Sequence, residues 1–150
     1  MTKVDVEPVR VGLQRLQRLL SARRAWAALA AAASIDLVQQ EMHVLLAFGE
    51  GHEQSMAELA RLAGMDAAAV SRQVRSLEER GMATRRAGPG RVVLVEATAD
   101  GRACARRVRA FYDRHLVDVL ASWEPEERDA LGHLLVRLVD DLERTPYRSS

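Results

Sequence analysis

The chain has 150 residues, 48% of them hydrophobic and 4% aromatic, which fits one domain with an aliphatic core and excludes wholesale disorder. The net charge of +1 excludes nothing by itself, but it is unevenly spread. Residues 61–91 hold seven Arg against three acids, and residues 113–146 hold four Arg against nine acids. One face is thereby suited to a polyanion and another is kept away from it.

Ala and Leu dominate the apolar set and are strong helix formers, so a mainly α fold is expected. Cys104 is the single cysteine. It excludes a disulfide framework or multi-cysteine metal site within one chain and fits a reducing compartment. The first twenty residues mix Arg, Gln and Glu with apolar positions, unlike a secretory signal. The longest apolar run, 25–33, is too short to span a bilayer. The expected location is cytoplasmic, with no membrane partner.

Up to Pro8 the chain reads as a loose arm. From about residue 9 to 33 one helix is expected, with Leu13, Leu16 and Leu20 at spacings of three and four. Its Ala-rich continuation suits close packing against another helix. Ser34 and Asp36 are cap candidates for a second helix. Val38, Met42, Leu45 and Leu46 form the apolar face of that helix, and Gly49 and Gly51 end it. Ser55-Met-Ala-Glu58 is a capping box, in which each side chain bonds the other residue's backbone amide. It opens a short helix that buries Leu59 and Leu62 and stops at Gly64. Asp66 caps the next helix, which runs to about Arg80 and is closed by Gly81.

A β-prone segment follows, turning at Gly88-Pro89-Gly90. Residues 91–95 are its only clear strand. Thr98 then caps a long helix with Cys104, Val108, Phe111, Leu116 and Val119. Pro125, Glu126 and Glu127 open a last helix. Its stripe is Leu131, Leu134, Leu135, Leu138 and Leu142, and Pro146 ends it.

Two short helices joined by a tight glycine turn form the simplest reader of the DNA major groove. Here a small residue, Ala60, lies four positions before Gly64, and Val70 lies six after it. The small residue lets the helices cross, the glycine permits the turn, and the valine locks the second helix on the first. At about 100° per residue, Val70, Val74 and Leu77 share the core side of that second helix. Ser71, Arg72, Arg75 and Ser76 fall on the other side. Arg bonds guanine bidentately and Ser reaches bases or phosphates at short range. Arg85 and Arg86 before the turn and Arg91 after it would let a two-stranded ribbon reach the minor groove and phosphates.

With helix, helix and ribbon in place, the sequence resembles the MarR family of bacterial regulators over roughly residues 9–142. The resemblance rests on three stretches: Ser55-Met-Ala-Glu-Leu-Ala-Arg-Leu-Ala-Gly64; Val70-Ser-Arg-Gln-Val-Arg-Ser-Leu-Glu-Glu-Arg-Gly81; and Arg85, Arg91 and Ala97-Thr98-Ala-Asp-Gly101. Two departures stand out. Pro89 occupies the position of a wing Asp, so the pair that would fix Arg91 is missing. Gln73 replaces an apolar residue and is either a base reader or a boundary residue.

The resemblance implies a fold that is mainly α with a small β-hairpin wing. It would be a single domain over 1–150: dimerisation helices at 9–33 and 124–146, a winged helix-turn-helix at 34–98, and a connecting helix at 98–122. It implies a homodimer on a pseudo-palindromic double-stranded DNA operator, acting as a ligand-responsive repressor. The DNA-binding candidates are Ser55, Ser71, Arg72, Gln73, Arg75, Ser76, Arg85, Arg86 and Arg91. A small aromatic or anionic effector is implied, with Trp26, Met42, His43 and Phe111 as pocket candidates. Within each half of the dimer, Trp26, Phe111 and Trp123 are the implied packing residues.

No cofactor is expected. The four His residues show no ligand spacing, so no metal is expected either. Cys104, flanked by Arg102, Arg106 and Arg107, is either a reactive thiol or a buried inert one. There is no phosphate loop, metal motif or nucleophile–base set, so an enzyme is not expected. The competing reading is a winged-helix protein-interaction module without DNA binding.

Overall fold

The computed structural model describes residues 5–48 and 52–145. Gly49, Gly51 and Pro146, expected to end helices, lie outside the described residues. The chain divides into two compact units, 1–109 and 110–150.

The first unit opens with α1 (Glu7–Ser21), which has Pro8 in its first turn. The proline belongs to the helix and not to a preceding arm, because the first turn needs no amide from it. Residues 9–33 do not form one helix. Ala22 is extended, and α2 (Arg23–Ala32) starts after it. The Ser21 hydroxyl donates to the Gln17 carbonyl at 2.6 Å, a local bond that competes with the helical ladder.

Ser34 is not a helix start. Its φ is +54°, and it terminates α2. Ser34 N donates to Ala31 O at 3.2 Å and Ile35 N to Ala30 O at 2.8 Å, the paired bonds of a left-handed helix stop. A side chain in this conformation is strained by about 1–2 kcal/mol. Ser34→Gly relieves the strain but loosens the unfolded chain. A net gain of about 0.5–1 kcal/mol is expected, read as a small rise in melting temperature.

Helix α3 (Gln39–Ala47) starts at Val38, not at Ser34 or Asp36. The Val38 amide donates to Glu41 Oε2 at 2.9 Å. This is the carboxylate half of a capping box, the other half being missing because valine has no side-chain acceptor. Next come β1 (Gln54–Ser55), α4 (Met56–Ala63), α5 (Ala67–Glu79), β2 (Ala83–Ala87), β3 (Val93–Ala97) and α6 (Ala99–Val119). The strands form one antiparallel sheet in the order β1-β3-β2, so the wing is three-stranded and not a bare hairpin. Strand β1 is invisible in the sequence because two residues carry no periodicity.

The core of this unit is aliphatic. Met42, Val44, Leu45, Leu59, Val70, Val74, Leu77 and Val108 are fully buried, each contributing on the order of 1.5–3 kcal/mol. Leu62 does not join them; it is 45% exposed. Cys104 is buried in the core with Ala105, the inert alternative for that thiol.

The second unit holds the end of α6 and then α7 (Pro125–Arg144). Pro125 is in the first turn of α7, as expected, and the Glu124 amide donates to Glu127 Oε2 at 3.0 Å. No residue of α7 is buried. Leu134, Val136 and Leu142 are each more than half exposed.

Candidate nucleic-acid interface

The helix-turn-helix is α4, a turn and α5. The Ser55 hydroxyl accepts the Glu58 amide at 3.2 Å. The return bond from Glu58 is not made among the described residues, and Glu58 remains exposed. Only half of the expected capping box is therefore present. Gly64 has φ +63°, and Met65 N returns to Ala60 O at 3.0 Å. Ala60 is buried where the helices meet and Val70 is fully buried across the turn. The small–glycine–valine spacing thus works as the sequence implied.

Asp66 Oδ1 accepts the Ala69 amide at 2.7 Å and starts α5. Gly81, at φ +69°, ends it. Met82 N donates to Leu77 O at 2.8 Å, and Gly81 N to Glu78 O at 2.9 Å. Val70, Val74 and Leu77 face the core with no exposure, which fixes the side that faces outward. Arg72 and Arg75 are exposed, while Ser71 and Gln73 are half-buried. Among the described residues no ion pair or side-chain hydrogen bond engages Arg72, Arg75 or Arg91. Both Arg of α5 are therefore available to a ligand at no internal cost.

Three predicted contact residues have internal partners. Ser76 turns inward, and its hydroxyl donates to Glu41 of α3. Helical spacing places it on the exposed face, but the neighbouring helix supplies a buried acceptor. Arg85 ties the wing to α5: its Nε lies 2.9 Å from Glu78 Oε2, and Nη2 donates to the Ser71 carbonyl at 3.2 Å. Arg86 pairs with Glu53, both guanidinium edges engaging the carboxylate. The Arg86 hydrogen bond holds the Glu53 carboxyl below its ordinary pKa, and the Arg86 pKa is raised in return. Arg86 sits on β2 and Glu53 directly precedes β1, so this pair braces the sheet across β3.

The wing tip closes through its backbone. Gly88 N donates to Val92 O at 2.8 Å and Val92 N to Pro89 O at 3.4 Å. Gly90 supplies the positive φ of +65° that such a turn needs. Arg91 is carried in this turn, exposed at the end of the hairpin. A tight tip therefore exists with Pro89 where the resemblance implies Asp.

Three of the four pocket candidates, Trp26, Met42 and His43, belong to the first unit and differ in burial. Met42 is fully buried in the core. His43, its neighbour, is exposed and lines an open groove with Leu46, Ala47, Leu62 and Ala63. Trp26 is partly buried and packs against the core of the first unit. Phe111 belongs to the second unit.

Glu41, Glu53, Glu78 and Arg80 hold this surface together, and sequence reasoning does not single them out. Glu41 is detectable: at helical spacing it falls beside Met42 and Leu45, where a carboxylate needs a buried donor, whereas Val38, expected on the same face, is the exposed N-cap residue. Glu53 and Arg80 pair across long sequence separations, and Glu78 meets Arg85 only once β2 folds back beside α5, so none of the three leaves such a signal.

Comparison with known proteins agrees with this geometry. The family model described as MarR family matches residues 35–91. An uncharacterized HTH-type transcriptional regulator of Bacillus subtilis, YdgJ, is 30% identical over 112 residues, covering 73% of this chain and 68% of its own length. Among solved structures, Streptococcus pneumoniae FabT in complex with DNA aligns with a TM-score of 0.68 at 19% identity, covering 93% of this chain and 99% of that one. Bordetella bronchiseptica BpsR, whose DNA binding is regulated by 6-hydroxynicotinic acid, aligns with a TM-score of 0.67 at 24% identity, covering 93% of this chain and 99% of that one. A tight small–glycine–valine turn, an Arg-bearing helix with a fully buried back and a braced three-stranded wing thus coincide with family and relative alike: the chain belongs to the MarR family and is a DNA-binding transcriptional regulator of the winged helix-turn-helix type.

Proposed function

We propose that this chain is a homodimeric, sequence-specific repressor that reads double-stranded DNA with Arg72 and Arg75. The observation that carries the reading is their position. Both stand exposed on α5, without an internal partner among the described residues, opposite a fully buried Val70, Val74 and Leu77 face. Ser71 lies beside them, and Gln73 borders the buried side. Ser55, at the N-terminus of α4, is suited to a phosphate, because the first amides of a helix favour an anion. Arg91 is the wing contact. Arg85 and Arg86 act mainly as braces, since their guanidinium groups are already engaged.

Dimerisation is supported by the apolar surface of the flanking helices. Leu16, Leu19 and Leu20 of α1 are exposed, as are Leu134, Leu135, Val139 and Leu142 of α7. Single helices bearing such stripes bury them against another copy. The whole chain then works as one MarR-like domain whose terminal helices pair two reading helices. The proposed site of action is the cytoplasm, by binding and not by catalysis. Among the described residues no helix is long and apolar enough to cross a membrane.

An effector of small aromatic or anionic character is proposed by analogy with BpsR and 6-hydroxynicotinic acid. Trp26, His43 and Phe111 remain its candidate contacts, while Met42 is occupied by the core.

Sedimentation at micromolar concentration and DNA titration over a salt series test the reading together. The expected result is a dimer whose affinity falls steeply with salt, because phosphate contacts release counterions. A monomer, or salt-independent binding, would contradict it. An interaction module without DNA binding would show no enrichment of any duplex from a random pool.

A further inference from the structure

We propose that Glu41 is a positioning residue that sets the rotation of the reading helix. The proposal rests on the reading of α5 given above. Glu41 is only 3% exposed, and its two oxygens face different tasks. Oε2 accepts the Val38 amide at 2.9 Å and so belongs to the start of α3. Oε1 faces α5, where it accepts the Ser76 hydroxyl and lies 3.4 Å from Arg80 Nε. Ser76 and Arg80 are one helical turn apart, so two successive turns of α5 converge on a single buried oxygen. Arg80 also donates to the Asp36 carbonyl at 2.7 Å, with Asp36 Oδ2 at 3.5 Å. The α2–α3 connection and the reading helix therefore share one donor.

The physical distinction lies between two kinds of contact. Val70, Val74 and Leu77 hold α5 down by apolar burial, which has no preferred direction. A few degrees of helix rotation changes that burial little. Hydrogen bonds are directional and weaken steeply when misaligned. A buried carboxylate cannot give up its donors without a large desolvation cost. Rotation is consequently fixed by such polar contacts, which Arg85 supplies from the wing and Glu41 from α3. It matters on the other side of the helix, because a rotation of about 20° moves an atom at the helix's outer radius of about 5–6 Å by about 2 Å. That is enough to break a bidentate Arg–guanine contact, while a phosphate contact by a long Arg survives it.

The test uses the full chain and two DNA duplexes. One is the duplex that the unmodified chain enriches most strongly from a random pool; the other is a scrambled duplex of the same length and composition. Glu41→Gln keeps the shape of the side chain and leaves one acceptor oxygen for three donors. It is expected to lose about tenfold in affinity for the selected duplex and less than about twofold for the scrambled one, where phosphate contacts dominate. Ser76→Ala is the milder variant, since Glu41 keeps Val38 and Arg80. A loss of about threefold is expected, again on the selected duplex alone. The double variant should lose little more than Glu41→Gln, because both act through one contact.

Equal losses on both duplexes would mean general loosening and would overturn the proposal. So would unchanged binding by Ser76→Ala and Glu41→Gln. Additive losses would show that Ser76 acts on DNA by itself, and they too would overturn it. If Arg72→Ala and Arg75→Ala lower the selected-to-scrambled ratio while the Glu41 and Ser76 variants do not, only the role of Glu41 falls. If the two Arg variants leave that ratio unchanged, the reading of α5 falls, and the role of Glu41 with it.

Discussion

Replacing Arg75 or Arg72 with Ala is expected to cost about 1–3 kcal/mol of affinity for the selected DNA, roughly 5- to 150-fold in Kd. The expectation follows from where the side chains stand. Helix α5 buries one side completely, and Asp66 and Gly81 fix where it starts and stops. Neither Arg spends its donors on a partner among the described residues, so DNA competes with water alone. If an Arg is bidentate to a guanine, its removal should reduce discrimination at one base position and leave scrambled DNA almost unaffected. If it contacts a phosphate, all sequences should weaken alike, and the salt slope should fall by about one unit. The two outcomes are separated by titrating each variant on selected and scrambled duplexes at several salt concentrations. An unchanged selected-to-scrambled ratio in both variants would remove α5 as the reading helix.

Gly101→Ala is expected to have the largest effect on stability. A Cβ at this position would meet the Met82 carbonyl oxygen at 2.1 Å and Leu45 Cδ1 at 3.3 Å. The carbonyl has little freedom to retreat, since it accepts the Thr98 amide at 3.0 Å. Thr98 is itself held, its hydroxyl donating to Gly81 O at 2.6 Å and accepting the Gly101 amide at 3.1 Å. The first turn of α6 is thus docked directly on the backbone that ends α5. Overpacking of this kind costs about 1–3 kcal/mol, more when backbone must shift. For a chain of this size the melting temperature should drop by roughly 5–10 °C. Gly132 of α7 meets no atom within 4 Å of an added Cβ, so Gly132→Ala is the matched control. A Gly101→Ala chain that melts with the control would show that α6 does not sit against Met82 in solution.

The two effects share a cause that the sequence expresses only in part. Its pattern of small residue, glycine and valine at Ala60, Gly64 and Val70 is local, and so is the Asp66 cap. Each depends on neighbours within a few residues, where backbone geometry leaves few options. For the same reason the stripe of Val70, Val74 and Leu77 correctly names the outward Arg72 and Arg75. The signals around Ser34 are local too, yet they point to a helix start. Ser is a frequent N-cap, and only the preceding helix running into it reveals the left-handed stop.

The long-range ties are a different matter. Arg85 and Arg86 stand next to each other in a basic segment and look like equivalent DNA contacts. The fold brings Glu78 to one and Glu53 to the other, and a carboxylate within reach outweighs any outward preference that spacing can express. Spacing misplaces Ser76 for the same reason, its acceptor lying 35 positions away.

The helix-turn-helix of α4 and α5 is therefore legible in the sequence alone, because its caps, turn and apolar stripe act over distances shorter than one helix, whereas the third strand of the wing comes from the distant pairing of β1 with β3. Which of its polar side chains keep their donors free is decided only by the tertiary structure. A side chain is engaged where the fold brings a carboxylate within reach of its donors, as it brings Glu41 to Ser76, Glu78 to Arg85 and Glu53 to Arg86.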